Sequence, residues 1–404
     1  MRFIYTFGVN CYGIALRIAS LFNPKAKKWI KGRQGLLLNL PDLSNEEVHW
    51  FHCASLGEFD QGLPLMKRLK DEQPNIFLVV TFFSPSGFEH YQKRAHVADL
   101  VCYLPLDTPS NARKFIKKTQ PKSVYFIKYE FWANYIFAAK KSGSNIYNVS
   151  GIFREKHRFF KWYGGFFRSV LSQFDFFFVQ NKSSEELLLG IGIENVGITG
   201  DSRFDRVIEN RKTVKSNEVI KAFKGENDLF IIGSSWPEDE ELLSPWINAS
   251  ADKLLIAPHE VDKKHIDRII VGISRKCVRY SEADLTTINE ADVLIIDSIG
   301  LLASAYKYGT SAYIGGGFTG NLHNILEPAV FGLPVIFGPK HTRFPEAQAF
   351  IDGGFGFSIS TTSEFKAAFE TIKTNLKLIG ANELDFVEKN AGATERIIQH
   401  ITSN

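Results

Sequence analysis

Residues 229–238 read Leu-Phe-Ile-Ile-Gly-Ser-Ser-Trp-Pro-Glu, a continuous apolar run that leads into a polar turn and the start of a helix. Continuous rather than alternating apolar residues are typical of parallel strands covered on both faces. The same kind of run recurs between helical patterns at Val48–Phe51, Ile76–Thr81, Val124–Ile127, Phe176–Val179, Leu254–Ala257, Val293–Ile296, Ala312–Ile314 and Val335–Phe337. The pattern predicts an α/β protein with two doubly wound, Rossmann-like parallel sheets.

The length and the charge distribution of the chain predict two domains and the boundary between them. A chain of 404 residues exceeds what one hydrophobic core usually supports. The stretch Asp205–Asp228 is rich in charge and lies near the midpoint, so we expect an N-terminal domain over 34–210 and a C-terminal domain over 211–404. The last helix is a candidate for packing back on the N-terminal domain. Two such domains would face a central cleft lined by the carboxyl ends of the strands.

The first 33 residues have the composition of a membrane-associating segment. The apolar stretch Phe3–Phe22 is followed by five basic residues at positions 25, 27, 28, 31 and 33, and no acidic residue precedes Asp42. Apolar helices followed by basic clusters associate with anionic lipid. The alternative is a helix packed on the protein with a solvated basic loop behind it. Whether residues 1–22 span the membrane or lie on it is left open.

Charge and cysteine usage exclude several classes of protein. The net charge of +4 is too small to imply nucleic acid by itself. The four cysteines form neither a CxxC pair nor a metal-ligand spacing, which fits a reducing cytoplasm and no zinc site. No Asp-x-Asp sequence of the kind that holds a nucleotide-bound metal occurs in the chain.

Carboxylates and a cation follow the predicted strands of the N-terminal half. Glu58 comes after the first strand at the start of a helix, where it is either a catalytic group or the capping-box partner of Ser55. Glu130 follows the strand Val124–Ile127 between aromatic residues and needs a polar partner. Arg203 follows another strand, and it either binds a phosphate or belongs to a structural network with Asp205.

Two strand-to-helix junctions in the C-terminal half have features of an anion site. After the run that begins at Leu229, Ser235 is predicted to cap a helix and Glu238 to close its capping box, although most such helices bind nothing. Residues 313–328 read Tyr-Ile-Gly-Gly-Gly-Phe-Thr-Gly-Asn-Leu-His-Asn-Ile-Leu-Glu-Pro, which predicts a strand, a glycine-rich loop and a helix from about Asn324. Glu327 could accept hydrogen bonds from ribose. No Lys-Ser/Thr follows the glycines, which argues against a kinase or ATPase.

The segment Phe153–Arg168 combines basic and aromatic side chains. It contains five Lys/Arg and seven aromatic residues in sixteen positions. Such a mixture is typical of a membrane interface, and a single-stranded nucleic-acid platform has the same ingredients. A buried aromatic helix with a basic solvated face is the structural alternative. The candidate ligands of a phosphorylated acceptor are Arg154, Lys156, Arg158 and Lys161.

In order along the chain, these motifs resemble those of the 3-deoxy-D-manno-octulosonic acid (Kdo) transferases of lipopolysaccharide synthesis. The matching blocks cover nearly the whole length and are specific together, although each is weak alone. They are His52–Glu58, Glu130-Phe131-Trp132, Thr199–Asp205, Gly233–Ser235, Ala257-Pro258-His259, Asp297–Gly300 and Gly315–Pro328. The resemblance implies a GT-B glycosyltransferase that moves Kdo from CMP-Kdo to a lipid A precursor with inversion and without a divalent metal.

The resemblance also implies roles for individual residues. Glu58 is expected to be the catalytic base, with Glu130 and Arg203 beside it. The expected contacts of the CMP-Kdo donor are Ser234, Ser235, His259, Gly316, Gly317, His323, Asn324 and Glu327. The family usually has Lys at the position of Arg203 and Arg at the position of His259, so a permanent charge is replaced there by a titrating group.

The expected location is the cytoplasmic face of the bacterial inner membrane, with an anionic membrane surface as partner and no nucleic acid. Two alternatives remain at this point. One is a different GT-B transferase that takes a UDP-sugar and a lipid acceptor. The other is a non-catalytic GT-B-like scaffold that binds lipid. The number of Kdo residues added, the acylation of the acceptor and the oligomeric state are not specified by the sequence.

Overall fold

The computed structural model describes residues 1–91 and 97–403. The chain forms two compact units. Unit 1 comprises Met1–Arg206 together with the segment from Ala391 onward, and unit 2 comprises Val207–Asn390. The division between the units falls within a single helix, Ser202–Thr213.

Unit 1 is built on a parallel sheet of seven strands in the order β3-β2-β1-β4-β5-β6-β7. The strands are β1 Val48–Cys53, β2 Phe77–Phe82, β3 Leu100–Tyr103, β4 Ser123–Ile127, β5 Asn145–Gly151, β6 Phe176–Val179 and β7 Val196–Ile198. The helices of this part of the chain are α1 Arg2–Ala19, α2 Pro24–Lys31, α3 Leu36–Asn39, α4 Leu56–Glu72, α5 Pro85–Tyr91, α6 Pro109–Thr119, α7 Ala133–Lys141, α8 Gly165–Leu171, α9 Lys182–Leu189 and α10 Ser202–Thr213, with a 3₁₀ turn at Arg158–Phe160.

Unit 2 repeats the architecture with the strand order β10-β11-β9-β8-β12-β13-β14. Its strands are β8 Leu229–Ser235, β9 Lys253–Pro258, β10 Cys277–Arg279, β11 Val293–Ile295, β12 Ser311–Ile314, β13 Val335–Phe337 and β14 Gly356–Ser358. Its helices are α11 Glu218–Lys224, α12 Pro237–Ala249, α13 Lys263–Val271, α14 Leu302–Ala305, α15 Leu326–Ala329, α16 Pro345–Asp352 and α17 Thr362–Lys389, with 3₁₀ turns at Tyr280–Glu282, Ile288–Glu290 and Tyr306–Tyr308.

The continuous apolar runs form strands because both faces of each sheet are covered. All six residues of β1 are buried, and consecutive residues enter different cores. Trp50 packs in one apolar cluster with Val79 and Phe126, whereas Phe51 packs in the cluster on the other face. This arrangement buries apolar surface on both sides, at about 25 cal/mol per Å² removed from water.

The predicted fold class is confirmed, because each unit is a seven-stranded parallel sheet of the Rossmann type. Each of the nine predicted apolar runs overlaps a strand, and only Ile76 and Ile296 lie one residue outside. Five strands lacked a recognisable run, namely β3, β5, β7, β10 and β14. Four of these, β3, β7, β10 and β14, contain residues that are only partly buried, and β5 carries Asn148 and Ser150 among its buried positions.

The chain returns to unit 1 at its C-terminal end. Helix α18, Ala393–Ser403, places Ile397 and Ile398 in the apolar cluster that contains Phe51. The Asp205 carboxylate accepts hydrogen bonds from the backbone N–H groups of Gly392 and Thr394 at 2.5 and 2.6 Å. These bonds satisfy N–H groups at the helix start that have no partner within the helix.

The N-terminal segment forms three helices within unit 1. The Tyr5 hydroxyl of α1 donates to Asp107 at 2.6 Å, and the Arg33 guanidinium donates to the carbonyl oxygens of Phe83 and Leu104 at 2.7 Å. Many apolar side chains of α1 are nevertheless exposed. Among the described residues, no helix is both long enough and apolar enough to cross a membrane.

Candidate active site

Glu58 lies in the first turn of α4, directly beyond the carboxyl end of β1. Its Oε2 atom accepts hydrogen bonds from the Ser55 backbone N–H at 2.7 Å and from the Ser55 hydroxyl at 2.8 Å, so the capping interaction is present. Burial raises the pKa of Glu58, and the negative charge of Glu130 raises it further. A carboxylate with a raised pKa is a better proton acceptor near neutral pH.

Glu130 lies after β4, and its carboxylate contacts two residues of the motif blocks, Trp132 and His52. Its Oε2 atom accepts a hydrogen bond from Trp132 Nε1 at 2.6 Å and lies 3.3 Å from His52 Nε2. His52 is fully buried, and its Nδ1 lies 2.8 Å from the Thr81 hydroxyl. The orientation of the Glu130 carboxylate is therefore set by an indole and by an imidazole fixed on β1.

The backbone turns sharply between β4 and Glu130. Lys128 has φ = 60°, a left-handed conformation that is uncommon for a residue with a side chain. Its positive charge lowers the pKa of Glu58 and so opposes the effect of Glu130. The Tyr129 hydroxyl interacts electrostatically with the charged groups of Arg154, Arg203, Glu58 and Asp201. Sequence reasoning missed Lys128, although its position at the end of a strand just before Glu130 was a usable signal.

Arg203 is paired with a different acid from the one that the sequence suggested. Its Nε and Nη2 atoms lie 2.8 and 2.7 Å from Asp201 Oδ2, and the Asp201 carboxylate also accepts the Arg203 backbone N–H at 3.0 Å. Asp205, the partner in the structural alternative, accepts backbone N–H groups at the start of α18. The fork of hydrogen bonds fixes the guanidinium in one orientation.

A cavity of about 530 Å³ in unit 1 joins Glu130 to the basic and aromatic segment. Lys156 and Arg158 line it together with Glu130, whereas Arg154 and Lys161 are not among its lining residues. Its aromatic walls come from Tyr5, Tyr129, Phe131, Trp132, Phe159 and Phe167. The alternative of one buried aromatic helix is wrong, because only Arg158–Phe160 and the residues from Gly165 are helical and Trp162 is 91% exposed.

In unit 2, the junction after β8 is built differently from the prediction. Ser235 belongs to the strand, and Trp236 is the residue that precedes α12. Asp239, and not Glu238, closes the cap by accepting the Trp236 N–H at 2.9 Å. The buried Ser235 hydroxyl donates to Glu240 at 3.0 Å, which leaves Ser234 as the serine with an accessible side chain.

Asp239 also connects α12 to the glycine-rich loop. Its carboxylate accepts hydrogen bonds from the Gly316 N–H at 3.0 Å and from the Tyr313 hydroxyl at 2.6 Å. Side chains at Gly315 and Gly317 would collide with the backbone of Ser234 and Gly338, and Gly316 has φ = 87°. Close packing of three backbone segments therefore explains these glycines without a ligand.

The expected donor residues His259 and His323 form an aromatic stack with Trp236. The rings of Trp236 and His259 lie 4.4 Å apart and nearly parallel, and those of His259 and His323 lie 4.6 Å apart. Trp236 Nε1 donates to His323 Nε2 at 3.1 Å. Burial, together with the charge of His259, lowers the pKa of His323 to about 4. His323 is therefore neutral near pH 7 and presents Nε2 as an acceptor.

Asn324 and Glu327 lie together at the start of α15. The Asn324 side-chain amide donates to Glu327 Oε1 at 3.2 Å, and its carbonyl oxygen accepts the Leu326 N–H at 3.2 Å. The helix begins at Leu326, two residues later than predicted, and Asn324 precedes it in a turn that the Leu326 N–H closes. Glu327 lines a cavity of about 310 Å³ that also includes Arg211, Lys215 and Ser304.

One group in the described residues offers metal-ligand atoms within 4.8 Å of one another, Glu260, Asp262 and His265. Two of the three have other partners. Asp262 accepts the Lys264 and His265 N–H groups at the start of α13, and His265 Nε2 lies 2.8 Å from Glu240.

Comparison with known proteins finds relatives that cover most of the chain. Residues 29–206 match the family model described as 3-deoxy-D-manno-octulosonic-acid transferase (kdotransferase). A 3-deoxy-D-manno-octulosonic acid transferase of Chlamydophila psittaci is 26% identical over 90% of this chain and 88% of its own length. Residues 29–206 are thus similar to the Kdo transferase family, and the similarity to single Kdo transferases extends over most of the chain.

Two further relatives show a similar degree of likeness. A 3-deoxy-D-manno-octulosonic acid transferase of Haemophilus influenzae is 25% identical over 94% of this chain and 92% of its own length. A bifunctional glycosyltransferase/methyltransferase of Fusobacterium nucleatum subsp. nucleatum is 27% identical over 90% of this chain, which spans 59% of that longer protein. The protein is accordingly a glycosyltransferase.

Solved structures support the GT-B fold of this chain. UDP-GlcNAc 2-epimerase from Neisseria meningitidis matches 89% of this chain and 100% of its own with a TM-score of 0.63 and 14% identity. Acinetobacter baumannii MurG matches 89% of this chain and 100% of its own with a TM-score of 0.54 and 12% identity. At these identities the likeness concerns the fold.

The low pKa of His323 predicts a loss of stability in weak acid. Because the folded-state pKa of about 4 lies below the ordinary value of 6.5, the unfolded chain binds a proton that the folded chain does not. Stability should therefore fall as the pH drops from 6.5 towards 4, by about 3 kcal/mol for this group, and His323→Asn should remove that component. Denaturant unfolding at each pH measures the change, and an imidazole of His323 that titrates near 6.5 by NMR would contradict it.

Proposed function

We propose that this protein transfers Kdo from CMP-Kdo to a phosphorylated, acylated precursor of lipid A, with inversion at the sugar centre and without a divalent metal. The observation that carries the proposal is the cavity in unit 1 that joins Glu130 to Lys156, Arg158 and an aromatic wall. Cations suit the phosphate of a glycolipid, and aromatic rings suit its apolar part. Glu58 lies near enough to Glu130 for the two charges to interact.

In this proposal Glu58 is the general base. The acceptor hydroxyl attacks the anomeric carbon of Kdo from the face opposite CMP and gives its proton to the Glu58 carboxylate. A new carbon–oxygen bond to the acceptor forms while the bond to the CMP phosphate oxygen breaks, and the bonding electrons leave with the phosphate. The raised pKa of Glu58 and the hydrogen bonds from Ser55 favour a positioned base.

The donor is proposed to bind through unit 2, and Arg203 is proposed to stabilise the charge that develops on the leaving phosphate. Arg203 keeps its guanidinium oriented by Asp201. The proposed donor contacts in unit 2 are Ser234, His259, Gly316, Gly317, His323, Asn324 and Glu327. For Ser235 we propose only a supporting role through β8, because its hydroxyl bonds to Glu240.

The acceptor is a lipid, so we propose that the enzyme acts at the anionic cytoplasmic surface of the inner membrane. Removing a multi-chain lipid from a bilayer would expose its chains at about 0.8 kcal/mol per CH₂. Trp162 and Tyr163 project from the basic segment with exposures of 91% and 49%, and Phe3, Phe7 and Phe22 on the N-terminal helical segment are more than 60% exposed. Aromatic side chains of this kind favour the headgroup region.

Glu58→Gln should reduce transfer by roughly 10² or more, because the amide cannot accept the acceptor proton while its volume is nearly unchanged. Affinity for CMP-Kdo should stay within a few-fold. The assay is mass analysis of the product formed from CMP-Kdo and the lipid A precursor, with CMP and UDP compared as competitors. Glu72→Gln makes the same chemical change at the other end of α4 and should leave turnover unchanged. Near-normal turnover of the Glu58 variant would exclude this residue as the base.

Chelation should leave the activity intact. The proposed donor site holds phosphate through backbone N–H groups and Arg203, so EDTA in the same assay should change the rate by less than a factor of two. Loss of activity in EDTA that Mg²⁺ or Mn²⁺ restores would contradict the metal-free proposal.

Binding to anionic vesicles should depend on the basic segment. Changing Arg154, Lys156, Arg158 and Lys161 to Ser should weaken binding, since each basic side chain near an anionic surface contributes about 1 kcal/mol, and raising the salt should weaken binding of the wild type. Sedimentation with vesicles of phosphatidylglycerol measures this. The matched control changes four exposed lysines elsewhere to Ser, Lys182, Lys212, Lys221 and Lys307. Equal loss in both variants, or no binding by the wild type, would overturn the proposed role of the segment.

A further inference from the structure

A second cavity in unit 1, of about 680 Å³, lies against the N-terminal helices and is not used by the reaction described above. Residues of α1, α2 and α3 form one side of it, and residues near Leu106 form the other. Its lining is mostly apolar and includes Ile14, Trp29, Leu37 and Leu106. Volumes of 300–1,000 Å³ with apolar walls and a few polar groups are typical of sites for small molecules and single lipid chains.

The polar group that points to a ligand is the indole of Trp29. Trp29 is only 7% exposed, and its Nε1–H has no hydrogen-bond partner among the described residues. A buried donor without a partner destabilises a protein, so such a group usually finds an acceptor. The ring itself is held firmly, because the Arg33 guanidinium stacks 3.7 Å from its centroid and bonds to three carbonyl oxygens.

The mouth of this cavity has apolar and cationic residues and no acidic one. Ile14 and Leu38 line the cavity and are 54% and 85% exposed, and Arg17 lines it beside them. No Asp or Glu precedes Asp42 in the sequence. An anionic amphiphile with an apolar chain therefore matches the entrance better than a cationic or fully polar ligand.

The cavity and the proposed acceptor cavity are separate but share structural elements. Helix α1 contributes Tyr5 to the acceptor cavity and Gly13 to this one, a separation of about 12 Å at 1.5 Å per residue. Ring contacts also link them, since Trp29 and Trp132 both pack on Phe83 with centroids 5.6 and 4.8 Å away. Trp132 is the residue that donates to Glu130.

We propose that this N-terminal cavity binds one acyl chain of the acceptor glycolipid, with a carbonyl oxygen of that chain accepting the Trp29 Nε1–H and Arg17 meeting the polar part at the mouth. The proposal rests on the proposed function. It assigns specificity for an acylated acceptor to residues of α1 and α2 rather than to the membrane alone. A sugar held beside Glu130 and a chain held about 12 Å away would fix the acceptor at two points.

A charge placed at the cavity mouth tests the assignment. Ile14→Asp should raise the KM for the acylated acceptor at least tenfold with kcat unchanged, and should leave the KM for the deacylated, phosphorylated disaccharide unchanged. Ile18→Asp is the matched control, because Ile18 lies one turn further along α1, is 58% exposed and does not line the cavity. The assay uses nonionic detergent, so that both variants meet the same uncharged surface.

A binding measurement makes the result independent of turnover. In a Trp162→Phe background, which removes the most exposed indole, an acceptor with brominated chains should quench a fluorescence component that Trp29→Phe abolishes. Quenching by brominated phosphatidylglycerol but not by the brominated acceptor would assign the cavity to a bilayer lipid and overturn the proposal. Equal effects of Ile14→Asp and Ile18→Asp, or an effect on the deacylated acceptor, would also overturn it. Absence of transfer by the wild type to either acceptor would instead refute the proposed function.

Discussion

Burial of both faces of two parallel sheets is the constraint on which the rest of this structure depends. Strands covered on both sides have little room for polar side chains, so chemistry has to occur where the strands end. Glu58 and Glu130 follow β1 and β4, Arg203 follows β7, and the glycine-rich loop follows β12. The fold therefore collects groups that are far apart in sequence at one edge of each sheet, and the helices that begin there supply N–H groups.

The carboxylates of Glu58 and Glu130 show how opposing charges act at this edge of the unit 1 sheet. Burial and the negative charge of Glu130 favour the protonated form of Glu58. Lys128 opposes this effect on Glu58, and Trp132 and His52 hold Glu130 in place. The pKa of Glu58 therefore depends on its neighbours, so a substitution at Glu130 or Lys128 should change the titration of Glu58.

The sequence was sufficient for the architecture and insufficient for the details that depend on distant contacts. Strands such as β1 are apolar throughout and were predictable, whereas β10 and β7 are short and partly exposed and have no comparable run. A register shift between Gly233 and Ser235 keeps Ser235 within β8, which moves the helix cap to Trp236. Asp239 binds Gly316, 77 residues away, and no local pattern reveals such a pair. The candidate site residues were found from the motif blocks. Lys128 was missed because it acts on Glu58 through its charge and belongs to none of these blocks.

The position of α18 has a consequence for biosynthesis. Ile397 and Ile398 complete an apolar cluster of unit 1, yet they leave the ribosome only after the whole of unit 2, residues 207–390. At 5–20 residues per second the delay is roughly 10–40 s. During that time α4 and the strands beneath it lack their last covering helix, while unit 2, which is continuous in sequence, is completed just before α18 is synthesised. Unit 1 begins synthesis first and finishes folding last, so its incomplete core is the part of the nascent chain most exposed to aggregation and to chaperones.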